Sequence, residues 1–132
     1  MTKALLLAGR PGGSDLIVES WKATGEPCKV VRFEEGFHER DRRQHDDEIL
    51  ALAKDWQPDV AVYMSVNLRP EQIDGRQPHA GVPHDETFKA LRDVCPVVHL
   101  CFDGVNPEWA PLLSRYLCGG RGECFDLHVN VD

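Results

Sequence analysis

No stretch of this 132-residue chain approaches the roughly 20 consecutive apolar residues of a bilayer-spanning helix. The N-terminus, Met1-Thr2-Lys3 followed by Ala4-Leu5-Leu6-Leu7-Ala8, has the outline of a signal peptide. Its apolar run is too short and breaks at Gly9-Arg10-Pro11, which fits a first buried strand better. No membrane partner is expected. Basic charge is also scarce: 15 Lys and Arg against 22 Asp and Glu leave a net charge of -7, a field that repels a polyanion. The basic cluster Arg40, Arg42 and Arg43 is interleaved with Glu39, Asp41, Asp46 and Asp47, so no nucleic acid is expected either. None of the five cysteines stands in a CxxC pair. Three lie in or beside apolar runs, where a reduced cysteine acts as a small core residue, and a cytoplasmic location is the expectation.

Several signatures of chemistry are missing as well. There is no GxGxxG dinucleotide fingerprint and no Walker Lys-Ser/Thr, so no cofactor is expected. No GxSxG elbow surrounds Ser65, which removes support for a hydrolase triad. A receiver domain needs acidic residues after its first strand and an aspartate ending its third; this chain has Gly9-Arg10-Pro11 and Ser65-Val66-Asn67. A flavodoxin needs a hydroxyl-rich phosphate loop where Arg10-Pro11-Gly12-Gly13 stands. No internal repeat or linker divides the chain.

What is present is the composition of an ordinary globular domain, 42% hydrophobic and 28% charged, long enough for one core. Five apolar runs occur at 4–8, 29–33, 60–66, 97–102 and 125–131. The first, third and fourth are nearly continuous, as in strands buried on both faces. In the last, Phe125, Leu127, Val129 and Val131 alternate with polar residues, the pattern of an edge strand with one open face. Helical patterns lie between them: from Ser14 or Asp15 to Ala23, closed by Gly25; 44–57, stopped by Pro58; 85–94, burying Phe88 and Leu91; and a fourth from Asn106 or Pro111 to Gly119. The order β-α-β-α-β-α-β-α-β makes a Rossmann-like α/β domain with a five-stranded parallel sheet. The expected strand order is 3-2-1-4-5, with 2-1-3-4-5 as the alternative.

Ligands of such sheets bind beyond the carboxyl ends of the strands, where the strand order reverses. With the first order, the loops 9–15 and 103–109 line the crevice, and the long segment 67–84 opens on the same edge. The substrate-binding candidates are Gly12, Gly13 and Ser14, in a glycine-rich turn entering a helix, with Asp103 and Asn106 after the fourth strand. Asp103 is the candidate acid–base group. A plain tight turn at 9–14 and an Asp-Gly turn at Asp103-Gly104 are the competing readings. His79, His84 and Asp85 match no metal-ligand spacing, so no metal is expected and they read as solvated loop residues. His99, inside a buried strand, reads as a hydrogen-bonded core histidine.

Gln57-Pro58-Asp59-Val60-Ala61-Val62-Tyr63 resembles the third strand of glycosyltransferases with two Rossmann-like domains, the GT-B group. The stretch Thr87 to Val94, then Pro96-Val97-Val98-His99-Leu100-Cys101-Phe102-Asp103 and Asn106-Pro107-Glu108-Trp109, is similar to the spore-maturation CgeB-like branch. Cys124-Phe125-Asp126-Leu127-His128-Val129 resembles the strand that follows. The resemblance covers residues 57–132, and the earlier part only by architecture. It implies an N-terminal, acceptor-side domain that takes a small-molecule or glycan acceptor. The nucleotide-sugar would be held by a C-terminal donor domain for which this chain has no counterpart. Catalytic incompleteness alone is then expected. A stand-alone binding or protein-interaction module is the alternative. The edge strand ending at Val131 leads to one more expectation, a homodimer built on it.

Overall fold

In a computed structural model the described residues are 1–8, 13–32, 39–64, 83–101 and 124–130. They form β1 (Ala4–Ala8), α1 (Gly13–Ala23), β2 (Cys28–Arg32), α2 (Glu39–Trp56), β3 (Val60–Met64), α3 (Asp85–Arg92), β4 (Val97–Cys101) and β5 (Leu127–Asn130). The expected fourth helix and Val131 lie outside the described residues. All strand pairs are parallel, and the sheet order is β2-β1-β3-β4-β5.

The α/β class and the parallel sheet are as expected; the order 3-2-1-4-5 is not, and the alternative order is the one found. The reason lies in the strands' own residues. In the order 3-2-1-4-5, β2 would sit between two strands and under helices on both faces. Its Lys29 and Arg32 are exposed, as suits an edge strand guarded by charge. By contrast, Ala61 to Met64 of β3 are all buried, and β3 takes the place between β1 and β4.

Parallel register puts each row of side chains on one face. Leu5, Ala61 and Val97 align, as do Leu7, Tyr63 and His99. This face packs against Ile49 and Ala53 of α2 and Phe88 and Leu91 of α3, with Cys95 and Cys124. Ala4, Leu6, Ala8, Val62 and Met64 form the other face, beneath Val18, Ile17 and Trp21 of α1. Removing a core leucine or isoleucine from such packing costs about 2–5 kcal/mol. Cys95 and Cys124 are buried in the core, the role expected of cysteines beside apolar runs, and burial pushes the Cys95 thiol above its ordinary pKa.

Two elements depart from their expected bounds. Helix α2 begins at Glu39, five residues before the expected start at 44. It is about 27 Å long beside strands of about 17 Å, so the helix extends beyond the carboxyl edge of the sheet. Phe125 was expected on one face with Leu127 and Val129. Instead the strand starts at Leu127, and Phe125 packs with Tyr63, Phe88 and His99 on the α2–α3 side. Asp126 makes the bend between them: its N–H donates to Val97 O at 2.8 Å, and its Oδ2 accepts from Val97 N at 2.8 Å. Leu127, paired with Val98 on the opposite face, is 55% exposed.

Helix α2 ends at Gln57, whose φ of 51° lies in the left-handed region. There its N–H donates to Ala53 O at 2.9 Å, and the buried Pro58 follows. A side chain in that conformation costs roughly 1 kcal/mol. Gln57→Gly is therefore expected to raise stability by about 0.5–1 kcal/mol in urea unfolding, and a loss would show that the Gln57 side-chain bond to Lys54 O outweighs the backbone strain.

A pH-dependent contribution sits at Asp126. The Val97 N–H chiefly, and Arg92 at 3.0 Å, hold its carboxyl below the ordinary value against some desolvation. With the folded pKa the lower one, the stabilisation is complete above the unfolded value of about 3.9 and disappears as pH falls through the folded value. Both partners are over a third exposed, so the expected worth is on the order of 1 kcal/mol. Wild type and Asp126→Asn should differ by that amount at pH 7 and converge on acidification below pH ~4. A gap that persists at low pH would assign the effect to something other than the carboxylate's charge.

Candidate functional site

The strand order reverses between β1 and β3, so the switch point lies at the carboxyl ends of Ala8 and Met64. This corrects the expected crevice. The segments leaving it are 9–12 and 65–82; the residues after β4 belong one strand further along. Gly12, Asp103 and Asn106 lie outside the described residues. Gly13 and Ser14 occupy the first turn of α1, where backbone N–H groups have no helical partner.

The next residue of that turn, Asp15, forms a 2.7 Å ion pair with Arg32 at the end of β2. Both side chains are 38% exposed, so the pair is worth under about 1 kcal/mol. Its placement matters more, because a carboxylate already faces the arginine beside the helix N-terminus.

On the opposite face a buried pair sits at the same edge. Asp46 is 5% exposed and stands ten residues before Trp56 on α2, about 15 Å up the helix. That is level with the carboxyl ends of strands about 17 Å long. Its Oδ2 accepts from the backbone N–H of His84 at 3.2 Å and is hydrogen-bonded to His84 Nδ1. His84 is the N-cap of α3, and its own side chain makes no capping bond. The helix is capped instead from α2, across 38 positions of sequence.

Beneath this pair the core is aromatic. Tyr63 is 4.9 Å from Phe88 and 5.3 Å from His99, and His99 is stacked 4.6 Å from Phe125. His99 is 2% exposed, the core position expected for it. His84 departs from its expected role as a solvated loop histidine, since its side chain is only 15% exposed. Among the described residues no three His, Cys, Asp or Glu side chains gather as a metal centre, and no helix is long and apolar enough to cross a membrane.

Asp46→Ala leaves the His84 N–H and ring without their acceptor, which is expected to cost about 1–3 kcal/mol. The first turn of α3 should fray with it, seen as faster hydrogen exchange at Thr87 and Phe88, whose N–H groups bond to His84 O. Unchanged protection there would show that the cap is dispensable.

No protein-family model matches the chain, and no curated protein matches it significantly.

Proposed function

We propose that this chain is the acceptor-side domain of a two-domain glycosyltransferase of the GT-B type. One observation carries the reading: the segments that resemble that group supply β3, β4 and β5, three neighbouring strands whose carboxyl ends open on one edge. The Pro-Asp opening of the first segment has a definite task there. Pro58 is buried, and Asp59 accepts from Lys3 N at 2.8 Å while donating its own N–H to Lys3 O at 2.8 Å. That exchange sets β3 against β1 and so sets the switch point. Charge supports the same division of labour. A domain of net charge -7 suits a neutral polyol better than a nucleoside diphosphate, which leaves the donor to the other domain.

Titration of the ¹⁵N-labelled chain tests the proposal. Simple mono- and disaccharides should give saturable shifts at Ala8, Gly13 to Asp15, Met64 and His84, and none at the amino ends of the strands. UDP- and GDP-sugars should neither bind saturably nor be turned over by the chain alone. Transfer or tight nucleotide-sugar binding would place the donor site here and overturn the acceptor-side assignment. Saccharide shifts confined to the amino edge would do so equally.

A further inference from the structure

The two edges of the sheet differ in what guards them. β2 carries exposed Lys29 and Arg32, and two copies of it side by side would set like charges together. β5, Leu127–Asn130, contains no carboxylate, ammonium or guanidinium group. The hydrogen bonds show which of its backbone groups face outward. Ala61 N–H donates to Pro96 O at 2.9 Å, so the alternate residues Pro96, Val98 and Leu100 of the neighbouring chain turn toward β3. In a parallel pair one residue of each aligned couple bonds across the pair and the other turns away. Val98 is aligned with Leu127 and Leu100 with Val129. Leu127 and Val129 therefore bond to β4, and His128 and Asn130 point their N–H and C=O away from the sheet. Among the described residues no strand lies beyond β5, and no backbone bond reaches His128 or Asn130 from that side. Leu127, 55% exposed, and the half-buried Val129 share the face of Val98 and Leu100.

We infer that this edge is a homodimer interface, in which β5 of a second copy of the chain pairs antiparallel with it about a twofold axis perpendicular to the sheet. One register joins every outward group of both strands. His128 of one copy stands opposite Asn130 of the other and exchanges both backbone bonds with it, and the reverse couple does the same. Val129 then meets its own copy at the axis as a close pair, with Cβ atoms about 4.5–5.5 Å apart. The two apolar faces lie on the same side of the joined sheet and become one strip. A second copy is favoured over an unrelated strand because β5 is its own complement, uncharged and apolar on one face. The interface is independent of the acceptor-side reading.

Sedimentation equilibrium and amide hydrogen exchange of the full chain test this, in salt of about 0.15 M to screen the charge of each copy. Association should grow with concentration. Over the same range the His128 and Asn130 amides should become protected, while Leu127 and Val129, bonded to β4, stay protected throughout. Val129→Lys sets two ammonium groups together at the axis and removes the apolar pair, which should weaken association about tenfold or more. Val129→Ile should retain it. A strict monomer at the highest soluble concentration overturns the inference. So does a dimer whose His128 and Asn130 amides exchange at one rate at every concentration, because its contact lies elsewhere. A folded Val129→Lys chain that associates as tightly as wild type overturns it too; should that variant lose its cooperative melt, the wild-type exchange pattern decides alone.

Discussion

Every residue of β1, from Ala4 to Ala8, is fully shielded from solvent. Its backbone N–H and C=O groups have no water to bond and must be satisfied by strands on both sides. β2 supplies one ladder and β3 the other. With β3 fixed there, β4 and β5 can only add outward, and the strand order reverses between β1 and β3. Right-handed crossovers then send α1 to one face and α2 with α3 to the other, matching the two halves of the core. The position of the ligand crevice follows from the same pairing. A carboxyl edge crowded by β1 and β3 results from satisfying one buried backbone.

Much of this was legible in the apolar runs. The runs 4–8 and 60–66 read as doubly buried strands; β1 is buried throughout, and β3, which spans Val60–Met64, is buried from Ala61 on. The order went astray because crossover rules alone allow both arrangements, and the deciding residues were the charges in β2. Lys29 and Arg32 belong on an edge, a reading that needs those two residues weighed beside the apolar count. The early start of α2 had a different cause. Residues 39–44 include no apolar residue, so apolar periodicity has nothing to register there. Phe125 shows a third kind of miss, in which alternation is interrupted by the paired Asp126–Val97 bonds.

The site was less legible, because its parts meet only in three dimensions. His84 ends a long segment rich in proline and glycine, and its partner lies 38 positions away. Asp46 stands among charged residues that read as a solvated helix face. A signal was nevertheless present. Asp46, Ile49 and Ala53 are spaced i, i+3, i+7, which places the acid on the buried stripe of α2. A charged residue on an apolar stripe asks for a partner, and the nearby histidines are the natural ones to test.

The two ends of the sheet treat their carboxylates differently. At the amino edge, Asp59 accepts from Lys3 N and Asp126 from Val97 N, so each ties the opening of one strand to its neighbour while remaining exposed to water. Their work is register, and their charges are solvated. At the carboxyl edge, Asp15 faces Arg32 across the end of β2 in solvent, but Asp46 is enclosed and one of its oxygens goes unmatched. Burial with incomplete satisfaction is unfavourable for folding, and selection for stability alone would replace the acid. Asp46 is the one of the four that is buried, and it stands at the carboxyl end of a parallel sheet, hydrogen-bonded to a histidine ring. Asp59 and Asp126 set strand register, Asp15 pairs with Arg32 at the rim, and Asp46 joins α2 to the start of α3.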